Sequence, residues 1–250
     1  MRKRMIFGAA IGLVLLPLAA QGQTPPPATS GRSPASASVP RITFTARALD
    51  YARLPTFVED VGYQRNYEQA QSFGRCISTI SGNRARSLLR TQPNSNAERI
   101  ALGQLGAFAM GCGPGGYRLF TAFVRGGISE ALYRRTLGTG STSPATPTRV
   151  AQFRAAESSR VAPALSDDRS YTMLAQCLVS HAPQATKGYL FSTVGSPGEL
   201  AALNFLIGAA TGCTDGKLLP ADAPRAFLRS YIAEAAYRWT TFETGNGQTG

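Results

Sequence analysis

The chain has 250 residues, 43% of them hydrophobic, with 26 Lys+Arg against 14 Asp+Glu, a formal charge of +12. That apolar content excludes a wholly disordered chain, and one His beside four Cys with no close pair excludes the common zinc frameworks. The positive balance, nearly all of it Arg, bears on solubility and association and leaves the fold open.

"MRKRMIFGAAIGLVLLPLAA" begins with a basic tip at Arg2, Lys3 and Arg4 and continues as an apolar run that ends in small residues. This is the pattern of a secretory signal peptide over residues 1–22, and the run is shorter than the ~20 residues of a membrane span. Cleavage is expected near Ala20 to Gly22, delivering the chain to the periplasm or the exterior and lowering its charge from +12 to +9, since three cations and no anion leave with it. Residues 23–40 mix Pro, Ser, Thr and Ala without apolar periodicity and read as a disordered leader. A similar stretch at 138–148 reads as a linker between blocks at 41–137 and 149–241, and residues 242–250 as a disordered tail.

In the first block "ITFTAR", Ile42 to Arg47, alternates like a strand, but a lone strand has nothing to pair with. Tyr67, Ala70, Phe73, Cys76, Ile77 and Ile80 then recur at three- and four-residue steps, the period of a helix. After a short "RARSLLR" segment, "ERIALGQLGAFAMGCG" from Glu98 sets Ala101, Leu102, Leu105, Ala109 and Cys112 on one helical face and stops at Gly-rich chain. A longer helix is expected from Leu119 to Arg135.

The second block repeats this order at a shift of 101 residues. "ELAALNFLIGAATGCT" from Glu199 matches the quoted stretch at seven of sixteen positions, Cys76 meets Cys177, Cys112 meets Cys213, and Leu89 meets Leu190. Three inserted residues later, "FVRGGISEALYRR" from Phe123 meets "FLRSYIAEAAYRW" from Phe227. Upstream, "RALDYAR" from Arg47 can be set against "RAAESSR" from Arg154 at a shift of 107. The last helix is expected from Asp222, an N-cap with Pro224 in the first turn, to Trp239. The fold class is therefore all-α: an internal duplication giving two pseudo-equivalent tandem repeats of about three main helices each. Four cysteines allow three pairings, and the equal 36-residue spacing selects Cys76–Cys112 and Cys177–Cys213, one clasp per repeat. Closing such a loop stabilises a fold by about 4 kcal/mol.

No phosphate loop, dinucleotide fingerprint or nucleophile elbow occurs, and no cofactor or metal is expected. His181 lies where the first block has Ile80, in no nucleophile context, and reads as a helix-end residue. Gly and Ala in "GQLGAFAMGCG" and "IGAATGC" point to tight helix packing. Four carboxylates recur in both blocks. Glu98 and Glu199 stand in a first helical turn, where the dipole favours them. Glu130 with Arg134, and Glu234 with Arg238, are i,i+4 pairs at the border of an apolar stripe, worth ~0.3–0.5 kcal/mol if exposed. Tyr133, Arg134, Tyr237 and Arg238 are the candidate binding residues. The expected function is that of an exported, non-catalytic interaction protein of the cell envelope, whose basic surface meets an envelope protein, anionic lipid or glycan rather than nucleic acid. Two alternatives are a glycan hydrolase using Glu98, Glu130, Glu199 or Glu234 as an acid–base pair, and a small-molecule carrier with a cavity between the halves.

Overall fold

The computed structural model describes residues 43–45, 61–108, 111–112, 118–137, 145–161, 166–213 and 224–244. The expected signal peptide and leader, most of the expected linker, the "RALDYAR" segment, Asp222 and residues 245–250 lie outside the described residues.

Among the described residues the chain is mostly helical. The helices are α1 (Val61–Ile80), α2 (Gly82–Arg90), α3 (Asn96–Phe108), α4 (Thr121–Leu137), α5 (Pro147–Val161), α6 (Ser166–His181), α7 (Pro183–Phe191), α8 (Pro197–Ala209) and α9 (Arg225–Thr244), with a 3-10 turn at Thr211–Cys213. Both disulfides form as the spacing predicts, with Cα separations of 5.4 Å for Cys76–Cys112 and 5.5 Å for Cys177–Cys213. Two such bonds fit an oxidising compartment, and no described helix is long and apolar enough to cross a membrane.

Two expectations need correction. The strand β1 (Thr43–Thr45) does find a partner: it runs parallel to β2 (Arg118–Phe120), with Phe44 opposite Leu119. "RLF" reads as the start of a helix, yet its backbone is extended, anchored by a fully buried Leu119. The linker also ends earlier than its composition implies. α5 starts at Pro147, with Thr146 Oγ1 accepting from the Arg149 amide at 3.4 Å. The Thr-Pro pair is an N-cap followed by a proline in the first turn, and Phe153 then seats α5 edge-on against Trp239, 5.1 Å between centroids.

The helix that organises the rest is α4. A surface helix buries one stripe, but α4 is buried on every side from Phe123 to Tyr133, because α1 lies against one flank and α9 against another. Its small residues permit this. A Cβ on Gly127 would overlap the Ala70 carbonyl of α1, and one on Gly126 would stand 2.5 Å from the Ser230 Cβ of α9. At the α4–α9 crossing the Phe123 and Phe227 rings meet at 4.3 Å. The cores interpenetrate there: Phe227 of α9 belongs to the buried cluster of Tyr63, Phe73, Ile77 and Leu105, while Tyr133 of α4 belongs to that of Tyr171, Leu178 and Trp239.

The crossing predicts a contrast between two glycines. Gly127→Ala forces backbone apart and should cost about 2–3 kcal/mol. Gly103→Ala, on the exposed side of α3 with nothing within 4 Å of the new Cβ, should gain about 0.5–1 kcal/mol from helix propensity. Urea unfolding of both variants against the parent measures each.

Candidate functional site

The shared carboxylates converge on two arginines. The turn between α2 and α3 places Asn94 in the left-handed region, φ 61°, and the turn between α7 and α8 does the same with Gly195, φ 73°. Each is followed by a serine N-cap, whose hydroxyl accepts the amide of Glu98 (Ser95) or Glu199 (Ser196) at 3.1 Å. The carboxylates reach back in turn: Glu98 Oε2 takes the Asn94 amide and Glu199 Oε2 the Gly195 amide, each at 2.7 Å. This is a capping box moved one residue outward, spelled "SNAE" and "SPGE" in the sequence.

The second oxygen of each carboxylate holds a buried guanidinium. Arg125 Nη1 lies 3.0 Å from Glu98 Oε1, and Arg229 Nη1 lies 2.8 Å from Glu199 Oε1. Both arginines also close the end of the preceding helix, where the last carbonyls lack partners. Arg125 donates to the Leu88 and Thr91 carbonyls, and Arg229 to those of Leu190 and Ser192. The remaining donors cross to the other half of the chain. Arg125 binds Glu234 through Nε (2.8 Å) and Nη2 (2.6 Å), and Arg229 binds Glu130 through Nε (3.2 Å) and Nη2 (3.0 Å), both bidentate. Two further arginines reach across: Arg134 donates to Leu190 O at 2.5 Å, and Arg238 to Leu89 O.

The rims of these centres differ. Around Glu130, beyond Arg134 at 2.6 Å, they are neutral: the Tyr67 hydroxyl and the Gln71 amide each donate at 2.9 Å. Around Glu234 they are charged, because α5 brings in Glu157 and Arg160. Arg160 lies 2.9 Å from Glu157 and 3.5 Å from Glu234, and Arg238 lies 3.1 Å from Glu157. Here a cleft opens, lined by Glu98, Arg125, Glu157, Arg160 and Glu234 with Phe120, Phe227 and Tyr231. Where α4 has Gly127 against α1, α9 has Tyr231, whose ring stacks on Tyr171 at 5.7 Å. The side chain occupies space that glycine leaves to a close helix crossing. The enclosed part of the cleft is about 40 Å³, room for a few waters.

Burial sets the titration of these groups against their ion pairs. Glu98 is held above the ordinary carboxylate value because burial outweighs Arg125 and the Asn94 amide. For Glu130 and Glu234 burial pushes upward too, but the bidentate arginines prevail and hold both below it. Burial and the neighbouring Glu130 raise Tyr67 well above the usual phenol value.

Each expected site residue can now be placed. Glu98, Glu130, Glu199 and Glu234 are all buried in the interior. The i,i+4 pairs read as border contacts thus sit on buried carboxylates, because α4 and α9 pack against neighbours on more than one side. Tyr133 is buried at 3% exposure in the second core and offers no binding surface; Arg134, Tyr237 and Arg238 are half-buried, the two arginines spent on the contacts above. Glu157, Arg160, Arg125 and Arg229 join the network without having been among the expected site residues. The last two had a signal, the first Arg of "FVR" and "FLR", present in both blocks.

No protein-family model, curated protein or solved structure matches the chain.

Two outcomes follow from the network. Arg229→Met takes away the cation of Glu199 and leaves buried Glu130 with only the half-buried Arg134, and should lower stability by about 3–5 kcal/mol, whereas the same change at exposed Arg154 should stay within about 0.5 kcal/mol; calorimetry and urea unfolding compare them. For pH, Glu130 and Glu234 have folded values below the ordinary 4.5, so their contribution is full above that value and is lost as pH falls below it. Glu98, raised, runs the other way and offsets part of the loss. Stability should therefore fall as pH drops below about 4.5, and Glu130→Gln should flatten that slope in urea midpoints measured across the range.

Proposed function

We propose that the protein is a non-catalytic interaction module of the cell envelope, built from two copies of one cystine-clasped helical unit and presenting an arginine-rich face to an anionic surface. The observation that carries the second part is where the charges lie. Of the glutamates with described side chains, Glu98, Glu130, Glu157, Glu199 and Glu234 are buried against arginines and Glu68 alone is exposed. Exposed cations crowd the first half: Arg65, Arg75, Arg84, Arg86, Arg90, Arg99 and Arg135, against Arg154, Arg169 and Lys187 in the second.

Several of these arginines donate to neutral oxygens and keep their charge available. Arg75 binds Ser72, Arg86 binds Asn83, Arg99 binds Asn96, and Arg135 binds the Ser78 carbonyl and the Thr79 hydroxyl. Ile80 stands 59% exposed at the end of α1, beside Thr79. An apolar tip within cations suits headgroup phosphates with an acyl boundary beneath.

The duplication is supported by matched detail: the same cystine separation, the same capped turn, and arginines 104 residues apart that exchange carboxylates 104 residues apart. Phe123 touching Phe227 and Gly126 touching Ser230 are contacts between equivalent positions, as at a two-fold dimer interface. An acid–base role for the shared glutamates is disfavoured by the same matching. Glu199 makes every bond that Glu98 makes although it does not line the cleft, so the bonds serve the turn and the arginine. A carrier needs several hundred cubic ångströms of enclosed space, against about 40 Å³ in this cleft.

Flotation of the mature, oxidised chain with phosphatidylglycerol vesicles, and with phosphatidylcholine vesicles as control, tests the reading. Binding should be confined to the acidic lipid and weaken with added salt. Arg84→Gln, Arg86→Gln and Arg90→Gln together should weaken it on the order of a hundredfold, at ~1 kcal/mol per cation. Equal binding to both lipids, or indifference to salt, would refute it.

A further inference from the structure

The single histidine of the chain stands beside its second cystine. His181 ends α6 four residues after Cys177, on the same helical face, and Cys213 comes to meet them from the 3-10 turn at Thr211–Cys213. The two sulfurs and a ring nitrogen of His181 lie within 4.8 Å of one another. At the first cystine the residue four positions after Cys76 is Ile80. The corners share a clasp, and among the described residues only the second carries a third donor.

A tetrahedral zinc with 2.3 Å bonds to sulfur and 2.0–2.1 Å bonds to nitrogen sets its ligand atoms about 3.5–3.8 Å apart. Parting the sulfurs and drawing in the imidazole are both movements on the order of 1–2 Å on that geometry. His181 is exposed and Cys213 partly exposed, so a reductant and a cation reach the corner from solvent, while Cys177 is buried. The neighbouring structure has its own supports: Leu178, Leu203 and Leu206 are buried, and the Glu199–Arg229 pair holds the start of α8.

We infer that reduction of the Cys177–Cys213 disulfide turns this corner into a thiolate–imidazole site for zinc or another borderline-soft cation. A dithiol reductant supplies two electrons and two protons: it leaves as a disulfide, the protein S–S bond breaks, and two cysteine thiols form. The divalent ion then displaces both thiol protons to solvent and is held by Cys177 Sγ, Cys213 Sγ and one His181 nitrogen, with water in the fourth position. While the disulfide is intact the sulfurs are not available as thiolates, so metal binding is gated by redox state. The site is independent of the arginine face.

Cobalt(II) is the probe, because thiolate ligation gives it a near-ultraviolet charge-transfer band. The full mature chain is used in a Cys76→Ser, Cys112→Ser background, so that only the second cystine can respond; the wild-type chain is run in parallel, and far-ultraviolet circular dichroism monitors the helices. The reduced protein should keep its helices and bind one cobalt with that band, the oxidised protein should show none, and His181→Ala should weaken binding by about tenfold or more. Absence of the band in a reduced, helical chain, equal affinity in His181→Ala, or loss of helix on reduction of both the background variant and the wild type would each overturn the inference.

Discussion

An arginine that is buried cannot shed its proton, so the fold must bring anions and carbonyl oxygens to it from several directions. Arg125 and Arg229 are 2% and 0% exposed, and this requirement dictates much of their surroundings. Each takes helix-end carbonyls from a short helix, a capping glutamate from the next, and a bidentate glutamate from the other half of the chain. The corner between two helices within one half and the pairing of the two halves thereby depend on the same side chain. Removing it disturbs both at once, which is why its cost exceeds that of an exposed ion pair of equal distance.

The same demand orders the surface. Among the described residues five glutamates are drawn inward against arginines, and several exposed arginines of the first half are hydrogen-bonded to neutral oxygens. The disulfides act locally by comparison, one tying α1 to the chain that follows α3 and the other tying α6 to the chain that follows α8.

Much of this could be read in the sequence, and the reason is repetition. Equal cysteine spacing selects the pairing, and three- and four-residue steps locate α1, α3, α6 and α8, with Glu98 and Glu199 on buried faces, but not α5, which makes the second half richer in helices than the three main ones expected. What could not be read is what depends on contacts between distant residues. Arg125 and Glu234 are 109 positions apart, and an arginine within a helical pattern reads as exposed unless its partner is known. Glu130 reads as a border residue if α4 buries a single apolar stripe, but α4 has no outward face over that stretch. The β1–β2 pairing needed a three-residue partner too short to signal itself, and the cleft depends on a glycine in one half facing the role of a tyrosine in the other. His181 illustrates the same limit: a lone histidine has no metal-ligand pattern in sequence, and only the fold sets it beside two sulfurs.

The exchange of charge between the halves is tested most directly by a double-mutant cycle on Arg125 and Glu234, using Arg125→Met, Glu234→Gln and both together in urea unfolding. Reciprocal buried pairing predicts a coupling of about 2 kcal/mol or more between the two sites. Additive single effects, within about 0.5 kcal/mol, would mean that the halves are held together by something else.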